Sequence, residues 1–466
     1  MQEEYKRKEE RELVRKFEAF LKNKENYYFD EDSFLQIISF YLDQGKYQKA
    51  VYACDVALAQ FPFSAELVME FADVLVRQEK HEEAIEKLEN ALNYHPNDVE
   101  ILLQKGTIHA LLSQYDEAIA SYEQIVDFAE DKDEVYYSIG LAYQGKGDFL
   151  LAAENYKRAI EINMLNENAL YELAYCLDVS GELEKSLDYY HQFIDQDPYS
   201  EYAWYNLGIV YNKLGKYEEA VDAYEYAVAI DDDFSSAHFN LGNAYMNLEK
   251  FDKALNAYTS TVEIEGPTAE TYCHIGAAYE KLKQLDLATK YYQKATKLDL
   301  LYHEAWYGLG VTMMLQERWA EAVHFFRKAV KSDLENGMYW KAIADAEAKL
   351  GNVVAAQEAY EEASEMDPEN HAVWLDWSLL YFEQGDFEKA VDIVQAGLDE
   401  CPDNADLLYH SVVYLIEFGK YKTAINHLEM ALILDFEGHL QLFDYFPNLQ
   451  TQKALFKIIE QYRNNN

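Results

Sequence analysis

Apolar and small residues follow one another along residues 201–234 with the spacing of two short helices. One face of the first helix is predicted from positions i, i+3, i+4 and i+7, which are Trp204, Leu207, Gly208 and Tyr211. Gly215 marks the end of that helix. One face of the second helix carries Ala220, Tyr224 and Ala227. A single hairpin of this kind cannot bury both of its sides, so it needs neighbours of the same kind.

The same pattern recurs every 34 residues without an insertion from residue 31 to residue 438. Twelve repeats result, and they begin at residues 31, 65, 99, 133, 167, 201, 235, 269, 303, 337, 371 and 405. Position 20 of the repeat is Ala in eleven of them and Ser186 in the fifth. This phase lock predicts one continuous stack of hairpins rather than several globular domains.

Three further positions support the period. Position 8 is glycine in six repeats, at Gly106, Gly140, Gly208, Gly242, Gly276 and Gly310. Position 24 is aromatic in eight consecutive repeats, from Tyr122 to Tyr360. Six of the seven prolines lie at position 32 or 33, after the second helix has ended.

These residues resemble the tetratricopeptide repeat (TPR) signature W-x2-L-G-x2-Y…A-x3-F…P, whose period is also 34 residues. The resemblance implies an all-α fold, a right-handed α-solenoid built of helix-turn-helix repeats. Residues 1–30 and 439–466 lie outside the period and are expected to form N-terminal and C-terminal capping helices. The N-terminal helix would use Leu13, Phe17, Phe20 and Leu21, and the C-terminal helix would span 448–463. A partner-docking role for 439–447 remains an alternative.

Two repeats depart from the pattern in ways that predict local changes. Repeat 5 carries Ser186 and Phe193 where alanine is usual, which predicts an exchange of volume. Repeat 10 has Glu347 at position 11, and we expect this carboxylate to lean towards the surface because burying it unpaired is costly. Lys341 and Asp345 lie four residues apart on the same helix and should pair.

The chain is strongly acidic, with 85 Asp and Glu against 40 Lys and Arg and a net charge of −45. Direct nucleic-acid binding is not expected, because it requires basic surfaces. The acidity favours solubility, attraction of basic protein partners, or both.

The remaining sequence features point to a non-enzymatic protein of the cytoplasm. No apolar run is long enough for a membrane span, and no signal peptide is evident at the N-terminus. The four cysteines, which fit a reducing compartment, form no disulfide or zinc pattern: Cys54, Cys176, Cys273 and Cys401. No nucleotide-binding or metal-ligand motif appears, so we expect no cofactor, no metal and no catalytic residue.

The resemblance also implies where a partner would bind. In the family the first helix of each repeat lines a concave groove, chiefly through positions 2, 5, 9, 12 and 13, with position 6 nearby. Position 5 is aromatic in four consecutive repeats, at Tyr137, Tyr171, Tyr205 and Phe239, and Tyr175 and Tyr202 add to this stripe. Packing between helices is the alternative interpretation of these rings.

Asparagines accompany the stripe, at Asn206, Asn212, Asn240 and Asn243. An amide can donate to and accept from a peptide backbone at once, so a row of asparagines can hold an extended chain. Repeats 6 and 7 are therefore the predicted centre of the site.

One familiar TPR function, the clamping of a C-terminal carboxylate by lysine, asparagine and arginine, is not expected. Repeat 8 offers Glu270 and His274 where cations would be needed. Position 2 is often acidic, so apolar, aromatic or basic protein segments should be preferred to acidic ones.

The leading hypothesis is a scaffold or adaptor that binds a protein segment in the aromatic groove. Two alternatives remain open at this point. One is a chaperone-like holder of basic or nascent client proteins, and the other is a structural protein that self-associates through its terminal helices.

Overall fold

A computed structural model describes residues 2–22, 27–445 and 453–463. These residues form 27 α-helices and one short 3-10 helix, and no strand occurs among them. The predicted all-α solenoid fold is therefore confirmed. The chain divides into an N-terminal body, Met1–Asp232, and a C-terminal body, Asp233–Asn466.

Thirteen α-helices occur among the described residues of the N-terminal body. They are α1 Gln2–Leu21, α2 Glu31–Asp43, α3 Tyr47–Gln60, α4 Ala65–Val76, α5 His81–Leu92, α6 Val99–Leu111, α7 Tyr115–Glu123, α8 Lys132–Lys146, α9 Phe149–Ile162, α10 Glu167–Val179, α11 Ser186–Gln196, α12 Glu201–Lys213 and α13 Tyr217–Ile230. The 3-10 helix, Leu183–Lys185, directly precedes α11.

The described part of the C-terminal body contains fourteen α-helices. They are α14 Ser235–Asn247, α15 Phe251–Glu265, α16 Ala269–Lys281, α17 Leu285–Leu298, α18 His303–Leu315, α19 Trp319–Ser332, α20 Gly337–Lys349, α21 Val353–Met366, α22 His371–Glu383, α23 Phe387–Glu400, α24 Ala405–Glu417, α25 Tyr421–Leu434, α26 Gly438–Tyr445 and α27 Lys453–Arg463. From α2 to α25 the helices pack as antiparallel pairs, here called helix A and helix B of each repeat.

Position 34 of the repeat fixes where many A helices begin. Its side-chain oxygen accepts a hydrogen bond from a backbone N–H in the first turn of the following A helix, which satisfies a donor that would otherwise lack a partner. Residues capping in this way are Ser64, Asp98, Asn166, Ser200, Thr268, Asn336 and Asn404.

The residue at position 15, just after helix A, has a positive φ in all twelve repeats. Seven repeats place glycine there, at Gly45, Gly147, Gly181, Gly215, Gly351, Gly385 and Gly419. Five repeats impose the conformation on side-chain-bearing residues with φ of 57–60°, at Glu79, Ser113, Glu249, Lys283 and Glu317. The packing of the two helices thus imposes a positive φ at position 15 even on residues whose side chains disfavour that conformation.

Helices A and B of a repeat approach closely at positions 8 and 24. The aromatic ring at position 24 lies directly over the position-8 glycine, where a Cβ atom would meet it. Such a Cβ would stand 2.5 Å from Tyr156 at Gly140, 2.6 Å from Tyr224 at Gly208 and 2.5 Å from Tyr258 at Gly242. At these three glycines the ring, in its present position, leaves no room for a methyl group.

In the two terminal repeats the space between positions 8 and 24 is filled by two side chains of intermediate size. Ile38 is paired with Cys54 in repeat 1, and Val412 with Leu428 in repeat 12, and all four side chains are buried. A larger residue at position 8 thus accompanies a smaller one at position 24, as close packing requires.

Where position 24 is tyrosine, its hydroxyl can donate a hydrogen bond to a polar side chain on helix A. Tyr156 donates to Gln144 Oε1 at 2.6 Å, and Tyr258 donates to Asn243 Oδ1 at 2.7 Å. A buried phenol needs such an acceptor, because an unpaired hydroxyl in the core would be destabilising.

In several pairs of successive repeats the A helices also contact each other, as α2 contacts α4 and α16 contacts α18. No comparable contact joins successive B helices in the described chain. The A-helix side is therefore the closely packed, concave side of each stack, and its outward-facing positions line a groove.

Capping helices cover the two terminal repeats. Phe17 of α1 is fully buried, and its ring packs edge-on against Phe29 at 5.7 Å and Phe34 at 6.0 Å between centroids. At the other end Phe443, Leu455 and Ile459 join the core formed by α24 and α25. Residues 446–452, which include the first part of the helix predicted over 448–463, lie outside the described residues.

The predicted orientation of Glu347 is wrong, because its side chain is only 6% exposed. Its carboxylate accepts hydrogen bonds from Arg327 at 3.1 Å and Asn352 at 2.8 Å, which offset the cost of burial. Lys341 and Asp345 pair as predicted, with Nζ and Oδ2 2.9 Å apart.

We expect Gly242→Ala to lower the free energy of unfolding by about 1–3 kcal/mol, because its methyl group would clash with the Tyr258 ring. Urea denaturation followed by far-UV circular dichroism measures this. Gly337→Ala is the matched control, since a Cβ there would meet its nearest atoms at 3.3 Å. Equal effects of the two substitutions would contradict the packing described here.

We expect Lys283→Gly to raise the free energy of unfolding by about 1 kcal/mol, because glycine adopts the positive φ of this position without steric cost. The converse change, Gly215→Ala, should lower it by a similar amount. Both are measured by urea denaturation, and a destabilising Lys283→Gly would show that the conformation is not strained.

Candidate functional site

Five large apolar side chains lie exposed on the A helices of repeats 4–6 in the N-terminal body. This set, called here the aromatic patch, consists of Leu141 on α8, Tyr171, Tyr175 and Val179 on α10, and Tyr202 on α12, each of which is 40–53% exposed. Tyr171, Tyr175 and Val179 are spaced by four residues and so share one face of α10. Because α10 contacts both α8 and α12, the patch occupies the concave side.

Polar contacts between neighbouring A helices link the three helices of the patch. Gln144 on α8 donates to Glu172 on α10 at 2.8 Å. Lys213 on α12 forms an ion pair with Asp178 on α10. The exposed rings are therefore displayed on a surface whose backbone is already fixed, which reduces the entropy cost of binding.

Other aromatic residues of the predicted stripe are partly used in packing. Tyr137 and Tyr205 are half-buried, and each ring lies against the position-24 ring of its own repeat, Tyr156 at 5.8 Å and Tyr224 at 5.9 Å. Burial raises the pKa of Tyr137. The position-24 ring lies over the small residue at position 8 and contacts the position-5 ring of the same repeat. The position-5 rings therefore contribute to the packing of the hairpin as well as to the groove.

Phe239 follows the same arrangement in the C-terminal body. Its ring lies 5.6 Å from the Tyr258 ring and edge-on to His274 at 4.9 Å. Burial lowers the pKa of His274, although Glu270 and Glu304 act in the opposite direction. A neutral imidazole at this place cannot replace the cation that a carboxylate clamp would need.

The predicted asparagines differ in their surroundings. In the C-terminal body Asn243 accepts a hydrogen bond from the Tyr258 hydroxyl. The amide nitrogen of Asn243 lies 3.4 Å from Asn240 Oδ1, so these two side-chain amides contact each other. Asn206 is half-buried on α12. Asn212 has a buried Oδ1 that accepts no hydrogen bond from the described residues.

The structure brings together Tyr171, Tyr175 and Tyr202 in the aromatic patch. Val179 was missed by sequence reasoning, although it occupies position 13, which faces the groove in the related family. Leu141, at position 9, completes the patch. These residues are identified by their exposure in the structure, because no sequence pattern alone distinguishes them from the aromatic residues that pack between helices.

A second feature missed from the sequence is an ion-pair network on the concave side of the C-terminal body. Lys341 Nζ lies 2.5 Å from Asp376 Oδ2 on the next A helix, in addition to its contact with Asp345. Tyr360 donates to the other oxygen of Asp345 at 2.7 Å. Residues 35 apart meet across neighbouring A helices, and this spacing is the signal that could have identified Asp376.

The concave side of repeats 1 and 2 contains an acidic cavity of about 370 Å³. Its walls are formed by Glu10, Leu35, Gln36, Ser39, Phe40, Asp43, Glu66 and Glu70. Burial and the neighbouring Asp73 raise the pKa of Glu70. Four carboxylates with an apolar floor make this end of the groove better suited to basic than to acidic segments.

The part of the chain that the structure describes contains neither a group of metal ligands nor a membrane-crossing helix. No three His, Cys, Asp or Glu side chains there are grouped so that they could hold a metal ion. No helix among the described residues combines the length and hydropathy of a membrane-crossing segment.

Family models match most of the repeat region. The model of the C-terminal domain of cilia and flagella-associated protein 70 matches residues 164–370. Two tetratricopeptide repeat models match residues 133–163 and 341–405, and that of anaphase-promoting complex, cyclosome, subunit 3, matches 43–125. No curated protein matches the chain at a significant level.

Several solved structures are similar to the chain. The APC/C hetero-tetramer Cut9-Hcn1 shares 15% identity over 86% of this chain and 98% of its own, with a TM-score of 0.41. YrrB, described as a TPR protein with an unusual peptide-binding site, shares 20% identity over 40% of this chain and 95% of its own, with a TM-score of 0.33. MamA shares 30% identity over 34% of this chain and 94% of its own, with a TM-score of 0.32.

The 34-residue period, the hairpins that it forms and the repeat models that match between residue 43 and residue 405 agree with one another. The chain belongs to the tetratricopeptide repeat family.

Proposed function

We propose that the chain is a non-enzymatic scaffold that holds a protein segment on the aromatic patch of repeats 4–6. The observation that carries this proposal is the exposure of Tyr171, Tyr175 and Tyr202, each about half accessible, on the concave side of the N-terminal body. Tyrosine rings are enriched at binding hot spots because they supply a large contact area at low entropy cost.

The packing of the stack supports this location. The small and aromatic residues at positions 8, 20 and 24 already fill the space within and between hairpins. The aromatic patch is additional to that set, and it contributes little to the core. A surface that is apolar, concave and fixed by Gln144–Glu172 and Lys213–Asp178 has the properties expected of a peptide-binding groove.

The charge of the N-terminal body favours a particular class of segment. The helices of the patch carry six carboxylates against three lysines. These carboxylates include Glu134 at position 2 of repeat 4 and Glu172 next to Tyr171 on α10, and the acidic cavity lies on the same side of repeats 1 and 2. Apolar or aromatic segments that also carry Lys or Arg would be attracted, and acidic segments would be repelled. We place such a scaffold in the cytoplasm, as its unpaired cysteines suggest.

Tyr171 and Tyr175 are better probes of the groove than Tyr205 and Phe239. The latter pair packs against the position-24 rings of repeats 6 and 7, so its removal would disturb the hairpins as well as any binding. Tyr171 and Tyr175 are 52% and 45% exposed, and their replacement should leave the fold intact.

The experiment selects 12-residue peptides from a displayed random library on the full chain and titrates the best binder by calorimetry. We expect Tyr171→Ser combined with Tyr175→Ser to weaken binding about tenfold or more, because each ring lost from a hot spot costs about 1 kcal/mol or more. The matched control is Tyr47→Ser combined with Tyr52→Ser, two exposed tyrosines on helix α3, which should bind normally.

Two outcomes would contradict the proposal. Unchanged affinity in the groove variant would place the site elsewhere. Loss of nearly all affinity in wild type when the salt concentration is raised to about 0.5 M would indicate an electrostatic holder of basic clients, since contacts between rings and apolar side chains are little affected by salt.

A further inference from the structure

A second set of exposed apolar side chains lies outside the groove, in the turns that join one repeat to the next. Five such turns of the N-terminal body comprise residues 61–64, 93–98, 124–131, 163–166 and 197–200. Each exposes one large apolar residue, with 51–80% of its surface accessible: Phe63, Tyr94, Phe128, Leu165 and Tyr199. None of these five side chains belongs to the buried core.

Contacts of the turns with neighbouring turns and with the first turns of α8 and α10 hold this set in place. The rings of Phe63 and Tyr94 meet edge-on at 4.9 Å, and His95 Nε2 lies 3.0 Å from the Phe63 carbonyl oxygen. Further along, Asn163 donates to Asp133 at 2.8 Å and Ser200 donates to Glu167 at 3.0 Å. The turns thus lie side by side on one margin of the stack, called here the turn edge.

The spacing of the turn edge follows from helix packing. The A helices that follow these turns contact one another as α4 with α6, α8 with α10 and α10 with α12, which places the turns before them roughly 8–10 Å apart. An extended polyproline II segment places every third side chain on the same face, about 9 Å apart. One such segment could set an apolar side chain against each turn in succession.

The charge of the turn edge selects among possible occupants. The five turns contain no lysine or arginine, and they carry five carboxylates, on Asp98, Asp127, Glu130, Asp131 and Asp197. No Lys or Arg of the described chain forms an ion pair with any of these carboxylates. Nucleic acid, anionic membrane and the same edge of a second copy would all be repelled, whereas a basic segment would be attracted.

We propose that the turn edge is a second docking surface, separate from the groove, for an extended protein segment with apolar residues at every third position and Lys or Arg between them. The apolar residues would contact the exposed side chains of successive turns. The basic residues would pair with the carboxylates that flank them.

The test titrates a fluorescent peptide of five Leu-Pro-Lys units, one for each turn, into the full chain. A peptide of the same composition with its leucines grouped together is the ligand control. We expect Phe63→Ser combined with Tyr94→Ser to weaken binding of the Leu-Pro-Lys peptide about tenfold, as expected for the loss of two aromatic contacts. The grouped peptide should bind several-fold more weakly to the wild type.

The groove variant, Tyr171→Ser with Tyr175→Ser, should bind the Leu-Pro-Lys peptide normally, which separates this proposal from the proposed function. Equal affinity of the wild type and the Phe63–Tyr94 variant for the peptide would overturn the turn edge as a docking surface. So would binding that is lost only in the groove variant. Circular dichroism is the control for folding, and we expect both variants to retain their helices because the altered side chains are exposed.

Discussion

The contact between a glycine in helix A and an aromatic ring in helix B determines how six of the twelve hairpins close. A Cβ at Gly140, Gly208 or Gly242 would lie 2.5–2.6 Å from the facing tyrosine, far inside van der Waals contact. In these repeats the two helices approach closely because position 8 has no side chain and the ring at position 24 fills the space. Because each repeat also buries its outer sides against its neighbours, this local fit is propagated along the stack.

The same contact explains why the concave surface is available for binding. Core packing is satisfied by side chains that point between helices, and ring hydroxyls such as those of Tyr156 and Tyr258 are satisfied by acceptors on helix A. The outward positions of helix A and the turns between repeats then carry little of the packing. In its N-terminal body the chain places tyrosines on the groove and aromatic or aliphatic residues at the turn edge, while carboxylates border both.

Most of the architecture could be predicted from the sequence, because small and aromatic residues at fixed positions of a 34-residue period report directly on close packing. The candidate site could be predicted only in part. Position 5 faces the groove in the related family, but Tyr205 and Phe239 lean against the position-24 rings, whereas Tyr171 is half exposed. Asp376 and the partners of Glu347 depend on contacts between neighbouring helices, which no single-helix pattern contains.

A double-mutant cycle at Gly310 and Phe326 tests the central claim most directly, because this pair has no hydroxyl hydrogen bond to complicate it. Gly310→Ala, Phe326→Leu and the double variant are compared by urea denaturation. If the ring and an added methyl group exclude each other, Gly310→Ala will be clearly destabilising alone and nearly neutral in the Phe326→Leu background, with a coupling free energy of about 1 kcal/mol or more. Additive effects would show that the hairpins are held together in some other way.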